Sequence, residues 1–327
     1  MALSIDAWAA PERAVAHPDA SVIRIGLINN MPDGALVATE TQFQRLLEAA
    51  AGTLPVRLRL SYLPEIVRSP AALERLAATY WPLEALLTAG LDALIVTGAE
   101  PLTASLREER YWPRFTEVLD WAAAHTHSSL WSCLAAHAAV EHLDGIARRR
   151  LAHKCCGVFE HEVAASHALM RGVVTPLPTP QSRWNDLPLE ALRAAGYDIL
   201  SASPEAGANL FTRRVGRSQM LFVQGHLEYH ADTLLKEYRR DIERFVRGEQ
   251  PHYPTLPQGY VSGEALSILT AYRQQLLANP VTGARFPYSA VAPHVHNTWQ
   301  RPAVRIYANW LATLLAARGD TRRTASA

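Results

Sequence analysis

Cysteine is scarce in this sequence, with 3 in 327 residues, and two of them, Cys155 and Cys156, are adjacent. An odd and sparse set cannot form a complete disulfide framework, and it is typical of proteins that work in a reducing cytosol. The count therefore excludes the small disulfide-rich class. It predicts a cytoplasmic protein and leaves room for one reactive thiol.

The chain also lacks an excess of charge of either sign and any long apolar run. Its formal net charge is +1 and its charged residues make up 19%, which does not fit a protein that neutralises nucleic-acid phosphates. No apolar run reaches the roughly 18 residues of a membrane span. The N-terminus has no basic stretch before an apolar core, so no signal peptide is predicted. Glycine loops of the two common phosphate-binding types are missing as well.

Short apolar runs alternate with amphipathic stretches over much of the chain. Strands are predicted at 22–28, 56–60, 91–96, 129–132, 197–201 and 219–224. Helices are predicted from residue 38, over about 111–125 and over about 231–247, and an alanine-rich stretch covers 134–143. This alternation is typical of βαβ units, so we predict an α/β fold with a doubly wound, mainly parallel sheet flanked by helices.

Composition divides the chain into three parts. Residues 1–20 are rich in Ala and Pro and are expected to be a loose lead-in. Residues 21–250 carry the alternating pattern and form the predicted main domain. Residues 251–327 are expected to be an extended arm, rich in Pro, Gly and Tyr up to about 302, followed by a helix over about 304–317 that packs on the body.

Cys133 directly follows the predicted strand 129–132, and small residues such as Ala135 and Ala136 follow it. Reactive groups gather at the carboxyl ends of strands in open parallel sheets, and a nucleophile on a tight strand-to-helix turn needs small neighbours. The amino end of the following helix favours a thiolate and offers N–H groups to a developing oxyanion. A buried, inert cysteine is the competing interpretation.

The second cluster of chemically useful residues follows the strand that ends at Gln224. His226 lies 93 positions after Cys133, and Glu228 comes two residues later. Glu228 is placed to hold the imidazole and to favour the imidazolium that forms when a thiol gives up its proton. A surface histidine with a solvated glutamate is the alternative. The order of strand, Cys and helix, then strand and Gly-His-x-Glu, is that of class I glutamine amidotransferases and their relatives.

The remaining histidines do not indicate a metal site. His137 and His142 lie five residues apart and so face different sides of a helix. His153, Cys155 and Cys156 are too close together for a tetrahedral site without a further pair elsewhere. We therefore predict no metal.

With these motifs the sequence resembles the homoserine O-acyltransferase family, comprising homoserine O-succinyltransferases and their O-acetyltransferase siblings, which share the class I glutamine amidotransferase-like fold. The resemblance spans about residues 22–250. The matching segments are Asn30-Met31-Pro32, Thr39–Phe43, Leu94–Ala99, Tyr111-Trp112-Pro113, Lys154 with Gly157–His161, Ser182-Arg183, Gly225–Tyr229, Glu237–Asp241 and Asn309-Trp310-Leu311.

The resemblance implies a ping-pong acyl transfer in methionine biosynthesis, with acyl-CoA as co-substrate and no tightly bound cofactor. It implies that Cys133 carries the acyl group, that His226 moves the proton and that Glu228 orients His226. It further assigns an oxyanion hole to the backbone N–H groups of Leu134, Gly98 and Ala99, and contacts with the amino-acid substrate to Lys154, Ser182 and Arg240. The resemblance implies a homodimer and implies no nucleic-acid or membrane partner.

Departures from the family pattern leave several alternatives open. The usual Gly-His-Pro-Glu is Gly-His-Leu-Glu here. The position that helps to choose the acyl donor falls on Leu102, or on Glu100 if the loop is shifted, so succinyl-CoA is favoured and acetyl-CoA stays possible. Serine is an alternative acceptor to homoserine. A glutamine amidotransferase, a hydrolase on the same fold and a non-catalytic binding subunit are the competing functions.

Overall fold

The computed structural model describes residues 3–8, 21–164, 166–278 and 285–325. The strands in these ranges are β1 (Leu3–Ile5), β2 (Ile23–Ile28), β3 (Val56–Ser61), β4 (Ala93–Thr97), β5 (Ser128–Ser132), β6 (Arg149–Val163), β7 (Leu177–Asp186), β8 (Asp198–Ser203), β9 (Gly207–Val215) and β10 (Ser218–Val223). The α-helices are α1 (Leu36–Ala51), α2 (Pro70–Thr79), α3 (Leu83–Thr88), α4 (Trp112–His125), α5 (Leu134–Asp144), α6 (Leu189–Ala194), α7 (Thr233–Val246), α8 (Gly263–Ala278), α9 (Tyr288–Val291) and α10 (Gln300–Ala325).

The described strands form one sheet in the order β1-β3-β2-β4-β5-β10-β9-β8-β6-β7. Every neighbouring pair from β1 to β10 is parallel, and every pair from β10 to β7 is antiparallel. Strands β2 and β4 are rich in apolar residues and almost fully buried because helices cover both faces of this part of the sheet. The predicted α/β fold with a mainly parallel sheet flanked by helices is confirmed.

Two apolar clusters cover the two faces of the sheet. On one face, Phe43 of α1 and Trp310 of α10 pack against strand residues such as Ile25. On the other face, Phe115 of α4 and Val140 of α5 belong to the second cluster. Fully burying each such side chain contributes about 1.5–3 kcal/mol, so the helices are held in place by these contacts.

The chain reverses its direction of travel across the sheet after β2. It first adds β3 on one side of β2 and later adds β4 and β5 on the other. Ligands of open α/β sheets bind at such a switch point, beyond the carboxyl ends of the strands. Here the carboxyl ends of β2, β4, β5 and β10 lie side by side, and a bond of 2.8 Å from the Asn30 backbone N–H to Thr97 Oγ1 ties the first two ends together.

The amino-terminal segment differs from the expected loose lead-in where it is described. Residues 3–5 form β1, which pairs in parallel with β3, and Leu3 is buried. A three-residue strand gives too little periodicity to be recognised in the sequence, and its partner lies about fifty residues away. Residues 9–20, the rest of the predicted lead-in, lie outside the described part of the chain.

The segment after residue 250 also differs from an extended arm. It contains α8 and α9, whose apolar residues join α7 in a third cluster around the fully buried Trp299. Before α8, the backbone of Gln258 crosses Gly157 of β6, where an added Cβ would lie only 2.2 Å from the Gln258 carbonyl oxygen. Only glycine permits this crossing. The predicted final helix over 304–317 lies inside the longer α10.

Across the described ranges we find no helix that is both long enough and apolar enough to cross a membrane.

Candidate active site

Cys133 occupies the turn between β5 and α5. Its φ angle of 53° is positive, and it is the only described residue other than glycine with such an angle. A bond of 2.6 Å from its backbone N–H to the Val223 carbonyl holds the turn against the end of β10. Strained backbone of this kind costs on the order of 1–3 kcal/mol and concentrates at functional sites. The sharp turn raises the thiol above the end of the sheet, as a nucleophile requires.

Gly98, at the end of β4, lies directly against the first residue of α5. A Cβ added to Gly98 would come within 2.5 Å of Leu134 Cβ and 3.0 Å of Leu134 N. As the first residue of a helix, Leu134 has no acceptor for its N–H within the helix. The backbones of Gly98 and Leu134 therefore approach each other beside Cys133, where the predicted oxyanion hole requires them.

His226 follows β10 and is fixed at both its backbone and its ring. Its backbone N–H donates to the Pro180 carbonyl at 2.8 Å, and its Nδ1 lies 2.8 Å from Glu228 Oε1. The ring stacks on Tyr229, with centroids 4.2 Å apart and planes 13° apart. Since Glu228 engages Nδ1, the other ring nitrogen is left for Cys133, which lines the same cavity.

The charges around His226 favour its protonated form. Burial opposes the imidazolium, but the carboxylate of Glu228, which is hydrogen-bonded to Nδ1, and the neighbouring charge of Cys133 outweigh it. The pKa of His226 is therefore raised well above its ordinary value. His226 and Glu228 are both buried, so their interaction is weakly screened. The arrangement suits transfer of the thiol proton to the imidazole.

The three predicted catalytic residues line a cavity of about 750 Å³, and so do all three predicted substrate-binding residues. Within it, Lys154 Nζ lies 2.7 Å from Asp241 Oδ2. Arg240 approaches the second oxygen of the same carboxylate, with Nε and Nη2 each 3.3 Å from Oδ1. Ser182 lies on β7 opposite Cys156 of β6. The two predicted carboxylate-binding cations are thus held side by side by one aspartate.

Lys154 keeps its positive charge in this environment. Burial disfavours the ammonium, but nearby Cys156, Glu237 and Asp241 raise the pKa of Lys154 above its ordinary value. Burial also raises the pKa of Cys156 to about 12, so this thiol is protonated at neutral pH. Because the thiolate is the nucleophilic form, Cys156 is a poor candidate for the reactive thiol.

The two candidates for acyl-donor choice are separated by the structure. Glu100 lines the cavity, with its Oε1 3.5 Å from Arg244 Nη2. Leu102 is 82% exposed and does not belong to the cavity lining; its backbone N–H donates to Glu109 Oε1 at 2.7 Å. Of the two positions, Glu100 is the one that can reach a bound ligand.

Sequence reasoning missed several residues of this site. His137, considered only as a metal ligand, is buried one turn after Cys133, with its Nε2 2.8 Å from Gln224 Oε1. Asp241 belongs to the matched segment Glu237–Asp241, but the sequence predicted no role for it. Tyr229, which stacks on His226, also donates to Glu237 Oε1 at 2.9 Å. The four-residue spacing from Cys133 to His137 is a signal that could have placed both residues on one helix face.

The C-terminal segment contacts residues of the site and contributes to the cavity lining. Trp299 Nε1 donates to the Tyr229 carbonyl at 2.8 Å, and His252 and Tyr253 line the cavity. No group of three or more His, Cys, Asp or Glu side chains with metal-binding geometry occurs in the described ranges.

The chain is similar to known proteins over most of its length. Residues 5–318 match the family described as homoserine O-succinyltransferase. A homoserine O-succinyltransferase from Rhodopseudomonas palustris is 46% identical over 306 residues, which cover 93% of this chain and 91% of that protein. A protein of the same name from Methylorubrum extorquens is 47% identical over 89% of this chain and 86% of its own length. A glutamine amidotransferase structure from Thermotoga maritima aligns with a TM-score of 0.48 and 13% identity, covering 89% of this chain and 98% of that one.

Proposed function

The chain belongs to the homoserine O-succinyltransferase family of acyl-CoA-dependent O-acyltransferases, and we propose that it transfers a succinyl group from succinyl-CoA to the hydroxyl of homoserine through an acyl-cysteine intermediate. The observation that supports this most strongly is the joint placement of Cys133, His226 and Glu228 in one cavity with Lys154 and Arg240. A nucleophile with its base, and cations for a carboxylate-bearing substrate, are what the reaction needs.

In the first half-reaction, His226 takes the proton from the Cys133 thiol. The thiolate attacks the thioester carbonyl and forms a tetrahedral adduct. N–H groups of Leu134 and of the Gly98-Ala99 segment bind its oxyanion, which is the usual way to stabilise such an adduct. Collapse of the adduct breaks the bond to the CoA sulfur, and the imidazolium returns the proton to that sulfur. The products are free CoA and an acyl-Cys133 thioester.

In the second half-reaction, His226 is neutral again and removes the proton from the homoserine hydroxyl. The oxygen attacks the acyl-cysteine carbonyl, and the same N–H groups stabilise the second adduct. The Cys133 sulfur leaves and regains its proton from the imidazolium. Glu228 holds the ring in one orientation through both halves, since its bond to Nδ1 keeps the other nitrogen directed at the reacting atoms.

The amino-acid substrate is bound through its charges. Arg240 can grip a carboxylate with two parallel hydrogen bonds, and Lys154 adds a second positive charge beside it. Asp241 holds both cations in place through its two oxygens. Ser182 lines the same cavity and offers a hydroxyl to the substrate.

Succinyl-CoA is favoured over acetyl-CoA on the names of the relatives, and Glu100 is the cavity residue placed to influence that choice. Homoserine is favoured over serine on the same ground. A cytoplasmic location, a homodimer and the division into a body over 21–250 with a C-terminal extension over 251–327 belong to the proposal as well.

The deciding experiment measures thiol release with succinyl-CoA and acetyl-CoA, each with homoserine and with serine, on one preparation. We expect the highest kcat/KM for succinyl-CoA with homoserine, and no release from the Cys133→Ala variant. Absence of turnover with every donor and acceptor pair would overturn the proposal. Glutamine hydrolysis without a need for CoA would favour the amidotransferase alternative.

A further inference from the structure

The active-site cavity is lined by two chemically different pairs of cations. Around Lys154 and Arg240, each cation is balanced by a nearby carboxylate, and Asp241 touches both. The lining also contains Arg148, which directly precedes β6, and Arg150, the second residue of β6. No described carboxylate lies within ion-pairing distance of either of these two arginines. The Lys154–Arg240 pair therefore suits a zwitterion, whereas Arg148 and Arg150 carry unbalanced positive charge.

One nitrogen of the Arg148 guanidinium has a hydrogen-bond acceptor, and another has none. Its Nη2 donates to the Ala104 carbonyl at 3.3 Å, while its buried Nη1 has no hydrogen-bond partner among the described residues. The nearby carboxylates Glu109 and Glu141 are already engaged, the first by the Leu102 N–H at 2.7 Å and the second by Arg107 at 2.9 Å. A buried guanidinium nitrogen without an acceptor is costly unless a ligand supplies one.

Arg150 lies over an exposed aromatic ring. Its Cζ is 4.4 Å from the centroid of Trp184, a residue of β7 that lines the same cavity and is 42% exposed. Stacking on the indole keeps the guanidinium in place with its N–H groups directed outward. The ring also offers an apolar face on which a flat heteroaromatic group can stack.

Arg149, the first residue of β6, differs from its two neighbours in the position of its side chain. Arg149 Nη2 pairs with Asp186 Oδ2 at 3.0 Å, and Arg149 is not part of the cavity lining. Successive side chains of a strand point to opposite faces. Arg148 and Arg150 both line the cavity, whereas the arginine between them does not and serves as an internal control.

From these observations we propose that Arg148, Arg150 and Trp184 bind the nucleotide part of the acyl-CoA donor, the two arginines holding its phosphates and the tryptophan stacking on its adenine. This inference rests on the proposed acyl-CoA-dependent function. It assigns the orientation of the donor: the thioester reaches Cys133, while the polyanionic end of the donor stays at Arg148 and Arg150 and leaves the Lys154–Arg240 pair free for the amino acid. Such an arrangement uses phosphate-binding side chains where a glycine-rich phosphate loop is missing from the sequence.

The experiment compares two donors that share the succinyl thioester but differ in the nucleotide: succinyl-CoA and the succinyl thioester of N-acetylcysteamine. We expect Arg148→Ala, Arg150→Ala and Trp184→Ala each to raise the KM for succinyl-CoA about tenfold, the loss of roughly one charge-assisted contact. The KM for homoserine and kcat/KM for the short thioester should stay within twofold of wild type. Arg149→Ala should leave all of these values unchanged.

Two results would overturn the inference while leaving the proposed function intact. One is normal succinyl-CoA kinetics in all three variants, and the other is an equal loss with both donors. Calorimetric titration of the Cys133→Ala protein gives a reading that does not depend on turnover. CoA should bind about tenfold more tightly than 3′-dephospho-CoA, and the difference should vanish in the double variant Cys133→Ala, Arg150→Ala. Equal affinity for the two ligands in Cys133→Ala would contradict the phosphate contact even if the enzyme were inactive.

Discussion

The Nδ1 atom of His226 lies 2.8 Å from Oε1 of Glu228, although a single residue separates them in the chain. Burial disfavours the protonated ring of His226, and the negative charge of Glu228 counteracts this effect. Without the carboxylate, the ring would lose both its orientation and much of its tendency to accept the thiol proton. The Glu228→Gln exchange tests this because it preserves the shape of the side chain and removes only its charge.

For Glu228→Gln we expect kcat to fall about 10²–10⁴-fold, the range found when an oriented general base loses its partner. Because Glu228 raises the pKa of His226, its removal lowers that pKa. The alkaline limb of the kcat/KM profile for succinyl-CoA should then move to lower pH. Glu243→Gln, a change of the same chemistry on the outer part of α7, serves as the control and should leave both quantities unchanged. An unshifted alkaline limb in Glu228→Gln would contradict the role of this pair.

The acyl intermediate can be observed directly. Mass spectrometry of the protein mixed with succinyl-CoA alone should show one succinyl adduct, and peptide analysis should locate it on Cys133. The adduct should be lost in Cys133→Ala and retained in Cys156→Ser, since the buried Cys156 thiol has its pKa raised to about 12 and stays protonated. An adduct on Cys155 or Cys156 in the wild-type protein, in place of one on Cys133, would mean that Cys133 is not the nucleophile.

Arg240 is expected to act in the second half-reaction alone. Arg240→Ala should raise the KM for homoserine about 10–100-fold, the range for losing charge-assisted bonds to a carboxylate. Formation of the acyl-enzyme should continue at a rate close to that of wild type. Arg239→Ala, at the neighbouring position where the side chain pairs with Glu243 at 3.4 Å, is the matched control. Loss of the adduct in Arg240→Ala would mean that Arg240 acts in donor binding or in folding and not in the second half-reaction alone.

Gly98 should not tolerate even one added methyl group. In Gly98→Ala the new Cβ would lie 2.5 Å from Leu134 Cβ, which forces the end of β4 away from α5 and opens the oxyanion hole. We expect kcat to fall and the free energy of unfolding to drop by about 1–3 kcal/mol, as for other overpacked sites. At Gly34 nothing lies within 4 Å of an added Cβ. Gly34→Ala should therefore retain normal kcat, and matching losses in both variants would refute the steric explanation.

His137 should make the protein sensitive to acid. Burial lowers the pKa of its imidazole to about 3 from an ordinary value of 6.5, so the unfolded chain binds this proton at a pH where the folded chain does not. The corresponding stability is complete above pH 6.5 and is lost as the pH falls toward 3. From one such group we expect a loss of about 2 kcal/mol between pH 6.5 and pH 5.

The measurement is urea unfolding at several pH values for the wild type and for His137→Gln. The variant should show a flatter dependence of the unfolding free energy on pH below 6.5, because glutamine does not titrate. It should also keep most of its activity if its amide can replace the bond to Gln224. Identical slopes for the two proteins would mean that His137 is not held neutral by burial.

The parallel half of the fold was accessible from local patterns. Strands β2 and β4 are short segments rich in apolar residues, and α4 and α7 lie within about two residues of their predicted bounds. The antiparallel β6–β7 pair was not predicted, because β6 is rich in polar and charged residues and pairs with a strand that begins fourteen residues after its own end. Nor were α2 and α3, which are short and contribute only a few buried residues each.

The sequence alone identified the candidate residues for the chemistry. Cys133 after a strand, Gly-His-x-Glu after another strand and the matched Lys154, Ser182 and Arg240 are all local patterns, since side-chain type and strand ends are written in short segments. The tertiary structure decided how these residues are combined. It placed Glu100 rather than Leu102 in the cavity, joined Lys154 to Arg240 through Asp241 and buried His137 behind the nucleophile. Such contacts depend on sheet order and on strand register, which arise from packing between distant segments and leave no periodic trace in the chain.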